Sequence, residues 1–198
     1  MVPSPRDAAA RRLEPEKLRP RLLLAMVYIG SLGSSTGLFD VTRASILANA
    51  PTLEVMLATD QPVVPAANLH VVSTSMDDLR DRLRDFLRHR SANNNSELLQ
   101  SAYKLCDLKV VYRSLFHREI LALMSPRPMD FVGFGDLDVV YGNVEHFMFA
   151  SHRLSLNQFD AIGVYGHLMA MRWTVAVLRL QHTCGGAKLR ERACSLKM

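Results

Sequence analysis

No hydrophobic run in this chain approaches the ~20 residues that a membrane-spanning helix needs. The longest, LLLAMVYI over Leu22–Ile29, is short enough to read as a buried strand rather than as the core of a signal peptide. Cysteine is scarce too. Cys106, Cys184 and Cys194 form no CxxC pair and are odd in number, which argues for a reducing compartment or an unpaired thiol. The acid-poor leader of a transit peptide is also missing: residues 1–20 carry four arginines but also Asp7, Glu14 and Glu16. Pro3, Pro5, Pro15 and Pro20 mark that stretch as a disordered leader. No internal repeat is visible. A soluble, cytoplasmic protein is the expectation, with no transmembrane segment.

What is present is ordinary for a folded domain. The chain has 198 residues, 48% hydrophobic and 22% charged, enough for one domain with a sizeable core. The net charge of +5 permits nucleic acid, a membrane surface or a nucleoside diphosphate as partner without choosing among them. Arg80, Arg84 and Arg88 share one face of a helical pattern, but Asp77, Asp78, Asp81 and Asp85 are spaced to pair with them. A solvated, partly paired helix is expected there, and no nucleic-acid partner.

Hydrophobic periodicity alternates between strand and helix. Strands are expected at 21–30, 53–60 and 69–75, and a helix over LFDVTRASILAN, ended by Asn49 and Pro51. Ser75 reads as the N-cap of an amphipathic helix, with Asp77 and Asp78 in its first turn. SANNNS reads as a polar loop, and residues 97–124 as a second long helix. FVGFGDLDVVYGN reads as a strand running into a loop, FDAIGVYGHLMAMR as a strand or strand pair, and WTVAVLRLQ as a helix start. The alternation predicts an α/β fold with a mostly parallel sheet flanked by helices. Ligands on such sheets sit at the carboxyl ends of the strands. Polar strand ends at Tyr28–Gly30, Thr59–Asp60 and Asp136–Asp138 are therefore candidates for one cleft.

Asp136 and Asp138 lie between apolar runs, where a carboxylate is costly unless compensated. Two hard oxygen ligands, two residues apart at a strand end, suit Mg2+ or Mn2+, ions that bind through one or two carboxylates plus substrate phosphates. Asp-x-Asp is also common by chance. Gly133, Gly135 and Gly142 around it either admit a ligand close to the backbone or mark a bulge. An apolar strand followed by DLDVV resembles the nucleophile motif of haloacid-dehalogenase-type phosphatases, in which an aspartate attacks phosphorus. That family needs a lysine and further acids downstream, and only Glu145, Asp160 and Glu191 follow Asp138.

YKLCDLKVVYRSLF followed by MDFVGFGDLDVVYGNV is more specific than either part alone. Together they resemble a little-characterised family of GT-A-type glycosyltransferases found in bacterial polysaccharide loci and in algae and plants. Tyr103, Lys104, Cys106, Asp107 and Lys109 match one motif, and Asp130, Phe131, Gly133, Asp136, Asp138 and Gly142 the other. Leu108 and Val110 replace an aromatic residue and a proline, and the usual tryptophan before Asp-x-Asp is absent. The likeness covers roughly Leu22 to Arg172. It implies a GT-A-like donor-binding domain, taken as 21–183; the residues after it, 184–198, read by composition as a short basic tail. It also implies a hexosyltransferase-type enzyme of polysaccharide biosynthesis using Mn2+ or Mg2+ and a nucleotide-sugar donor, with a glycan or other acceptor.

By the same likeness Asp138 binds the metal directly, and Asp136 binds it through water or holds the ribose. His167 is a third ligand, although a lone histidine on an apolar strand is more commonly a satisfied core residue. Tyr28 and Ile29 line the base pocket, Asp60 lies near the nucleoside, and Lys104 and Lys109 lie near the diphosphate. The two ammonium groups are natural phosphate partners, or else part of a solvated helix face. Asp107 belongs to the donor site or holds Lys104 as its salt-bridge partner, and Cys106 is expected as core filler. No residue stands out as a catalytic base. About 60 residues follow Asp138, so the alternative is a truncated, non-catalytic donor-binding or interaction domain.

Overall fold

A computed structural model describes residues 20–31, 37–88, 101–125, 128–146, 160–164 and 167–173. The leader, the SANNNS loop, the WTVAVLRLQ segment beyond Trp173 and the basic tail lie outside those residues. The elements in chain order are β1 (Leu22–Tyr28), α1 (Leu38–Leu47), β2 (Leu53–Thr59), β3 (Leu69–Ser73) and α2 (Met76–Arg88). A 3-10 helix (Ala102–Val111), α3 (Tyr112–Leu115), α4 (His117–Met124), β4 (Phe131–Gly135), β5 (Ala161–Val164) and β6 (Leu168–Arg172) follow. None of these helices is long and apolar enough to cross a membrane.

The six strands form one sheet in the order β3-β2-β1-β4-β6-β5. β3, β2, β1 and β4 run parallel, whereas β6 is antiparallel to both β4 and β5. The sheet is therefore mixed. β5 and β6 are consecutive and form a hairpin, which needs only a short connection where a parallel pair needs a crossover.

Each interior strand sends alternate side chains to opposite faces. On β1, Leu22, Leu24 and Met26 join one core cluster with Leu53, Val55 and Leu57 of β2 and with Ile46 of α1. Leu23 and Ala25 join the other, with Leu79 and Leu83 of α2 and with Tyr112, Leu115, Phe116 and Ile120. Burial on both faces explains why β1 and β2 read as continuous apolar runs.

The expected helix over 97–124 is broken within the described residues. It begins at Ala102 as ten residues of 3-10 helix and then gives two short α-helices. Three residues per turn sort the 3-10 stretch into rows. Leu105, Leu108 and Val111 pack into the core. Cys106 and Lys109 face a cavity, and Tyr112 at the start of α3 continues their line. Lys104, Asp107 and Val110 face solvent. Apolar side chains three apart satisfy a 3-10 helix as well as an α-helix, so periodicity alone cannot separate them.

Ser75 caps α2 as expected. Its Oγ accepts the Asp78 N–H at 3.1 Å, and its own N–H donates to Asp78 Oδ2 at 2.9 Å. Along that helix Arg80 pairs with Asp77 at 2.7 Å, and Arg84 pairs with Asp81. Arg82 turns inward and bridges to Glu119 of α4 at 2.7 Å.

The glycines of β4 serve packing. A Cβ on Gly133 would lie 1.8 Å from the Met169 carbonyl oxygen of β6. One on Gly135 would meet the Tyr141 hydroxyl at 2.4 Å. These positions need the missing side chain so that protein, rather than ligand, can approach.

Candidate functional site

β1 and β4 are adjacent, yet the chain leaves β1 towards β2 and β3 on the other side. This is where the strand order reverses, and a crevice opens there beyond the carboxyl ends of the strands. The cavity measures about 600 Å3, within the range of small-molecule sites. Met26, Tyr28 and Ile29 come from β1 and its end, and Leu38 and Phe39 from α1. Cys106, Lys109 and Tyr112 come from the row across them, and Asp136 and Asp138 from the end of β4.

The strand stops at Gly135, so Asp136 and Asp138 stand on the turn that follows. Asp136 is 17% exposed and engaged at both oxygens: Lys109 Nζ contacts Oδ1, and His167 Nδ1 lies 2.9 Å from Oδ2. A basic side chain thus compensates the carboxylate in the free protein. Asp138 is exposed and has no ion-pair partner among the described residues. His167 directly precedes β6, is 67% exposed, and is not a core histidine.

The other sequence-derived candidates divide. Tyr28, Ile29 and Lys109 line the cavity. The Tyr28 hydroxyl donates to the Ser31 carbonyl at 2.6 Å and so ties down the loop after β1. Asp60 instead shapes that loop. It accepts the Gly30 N–H at 3.0 Å, where Gly30 has a φ of 115° that only glycine adopts readily. Bonds from the Gln61 side chain and from Gly30 hold the Asp60 carboxyl below the usual range. Lys104 and Asp107 pair with each other at 3.6 Å on the solvent row, both more than half exposed. Cys106 is exposed and faces the cavity, so it is not core filler.

Several residues that support the site escaped the sequence reading. Thr42, Ser45 and Asn49 form a buried polar stripe along α1 and its end. Thr42 Oγ1 donates to the Leu137 carbonyl at 2.7 Å, and Ser45 Oγ accepts the Tyr141 N–H at 3.0 Å. Asn49 donates to the Gly142 carbonyl at 2.7 Å and accepts the Val144 N–H at 2.8 Å. The Tyr141 hydroxyl donates to the Asp136 carbonyl at 2.9 Å. Burial pushes the Tyr141 hydroxyl well above its ordinary value, so it stays a donor. The turn that carries both aspartates is therefore pinned along its length. The available signal was three small polar residues at helical spacing on an otherwise apolar face.

Among the described residues, no three acidic, histidine or cysteine side chains form a ready-made metal cage. The donor set still fits a magnesium-like ion. Two carboxylates on one wall, one of them without an ion-pair partner among the described residues, match a metal that takes its remaining ligands from water and substrate phosphate.

The model of a family of unknown function (DUF6625) matches residues 24–191. No curated protein and no solved structure matches the chain.

Proposed function

The chain belongs to that family of unknown function, and we propose that it is a metal-dependent glycosyltransferase of GT-A type that takes a nucleotide-diphosphate sugar. One observation carries the reading: Asp136, Asp138 and Lys109 share the wall of a cavity at the strand-order switch between β1 and β4. The likeness of the Tyr103–Lys109 and Asp130–Gly142 motifs to GT-A enzymes supports it.

In this reading Asp136 and Asp138 hold Mn2+ or Mg2+. When bound, the ion would neutralise the diphosphate and assist its departure. Lys109 places an ammonium beside the same leaving group. Ile29, Leu38 and Phe39, with the Tyr28 ring, offer an apolar wall to the nucleoside. The transition state would carry oxocarbenium character, as in glycoside hydrolysis, so preorganised charge at the diphosphate lowers the barrier. Tyr141, Asn49 and Ser45 keep the turn in place.

The test is release of UDP or GDP from a panel of UDP- and GDP-sugars, with Mn2+ or Mg2+ and with and without candidate glycan acceptors. Metal-dependent turnover that Asp138→Ala abolishes is expected. Tight metal-dependent nucleotide binding with no turnover of any donor would favour a non-catalytic donor-binding domain.

A further inference from the structure

Asp136 is already neutralised. Lys109 and Asp136 are each 17% exposed at the side chain, so water screens their contact less than it would a surface pair. His167 on the other oxygen is 67% exposed and can withdraw into solvent. A divalent cation arriving at Asp136 has to displace the ammonium. It would then face that ammonium across the cavity wall, with like charges close together in a partly desolvated place. An incoming diphosphate removes the conflict, because it offers the displaced ammonium a new anion.

We propose that Lys109 is an exchangeable counter-cation, which holds Asp136 while the site is empty and passes to the diphosphate as metal and nucleotide bind together. This rests on Asp136 and Asp138 being the metal carboxylates. The geometry suits the exchange. Lys109 projects from the 3-10 helix into the cavity, between Cys106 and the first residue of α3, Tyr112. Its flexible four-carbon stem lets a compact charge move between two anions on one wall without backbone motion. The consequence is positive coupling: metal alone binds poorly, and each ligand tightens the other by the same factor. Lys104 points to solvent and pairs with Asp107, so it takes no part.

The experiment measures Mn2+ affinity by electron paramagnetic resonance, with Mn2+ alone and with UDP, GDP, ADP or CDP added. Wild type is compared with Lys109→Met, Lys109→Arg and Lys104→Met. In wild type, the best nucleotide is expected to tighten Mn2+ by about tenfold or more, within the ordinary range of coupling between sites. Lys109→Met is expected to bind Mn2+ alone more tightly than wild type and to lose most of the coupling. Lys109→Arg keeps the coupling because it keeps the charge, and Lys104→Met behaves as wild type. If Lys109→Met does not fold, Lys109→Gln, which can still hydrogen-bond Asp136, carries the same expectation. Coupling that survives in the neutral variants, or Mn2+ alone bound no more tightly by them, overturns the proposal and leaves the metal site standing. Absence of Mn2+ binding to wild type under every condition overturns the metal site and the proposal with it.

Discussion

Lys104 and Lys109 are five residues apart and chemically identical, yet a three-residue turn sends one to solvent and the other to a carboxylate. The sequence presents both as phosphate partners; the geometry separates them. Lys104→Ala is expected to leave nucleotide affinity within about twofold and stability within about 0.5 kcal/mol, as for other exposed pairs. Calorimetry and a urea melt check both. Arg113 is the opposite case, a cation sealed in the core at 4% exposure. Its guanidinium lies 4.1 Å from the centre of the Trp173 ring, and none of the three guanidinium nitrogens has a hydrogen-bond partner among the described residues. Burial pulls its pKa down to about 10. A buried charge without an anion costs stability, so Arg113→Leu is expected to raise it by about 1 kcal/mol, whereas Arg113→Ala lowers it by removing the packing. A fall in the urea midpoint for the leucine variant would show that stacking on Trp173 outweighs the cost of burial.

Strands were legible because burial on both faces leaves continuous apolar runs, and Ser75 because a cap has its own chemistry. The 3-10 helix was not, since the row Leu105–Leu108–Val111 carries no mark that distinguishes three residues per turn from 3.6. Asn49 was visible only as a helix terminator. Its contacts to Tyr141, Gly142 and Val144 span more than 90 residues of chain, and no local pattern reports such a distance. The glycines of β4 were open to a ligand's approach or a bulge, but the backbone of β6 occupies the space at Gly133 and the Tyr141 hydroxyl that at Gly135. Two changes test these elements by denaturant unfolding. Ser75→Ala should cost about 1 kcal/mol through the lost cap. Gly133→Ala should cost about 3 kcal/mol, because its methyl group collides with the backbone of β6 rather than with a yielding side chain.

Among the described residues, two charged clusters stand at opposite ends of one sheet. At the amino end, Arg21 donates to Glu54 Oε1 at 2.5 Å, His70 Nε2 lies 2.7 Å from Oε2, and the Arg21 N–H donates to Asp130 at 2.8 Å. Burial by itself would raise the Glu54 carboxyl, but the bonds and charges of His70 and Arg21 outweigh it and hold the pKa below the ordinary value of 4.5. A depressed carboxyl stabilises the fold above its unfolded value and loses that contribution as pH falls through the folded one. The urea midpoint should therefore drop as pH falls below about 4.5, and drop less steeply in Glu54→Gln. At the carboxyl end lies the central claim, that Asp136 and Asp138 form a metal-assisted diphosphate site. Calorimetric titration of UDP and GDP, with and without Mn2+, into wild type and Asp138→Ala tests it most directly. Nucleotide binding that requires Mn2+ in wild type and weakens by about tenfold or more in Asp138→Ala is the predicted result, given how strongly charged ligands contribute. Binding indifferent to Mn2+, or unchanged by the substitution, would contradict it.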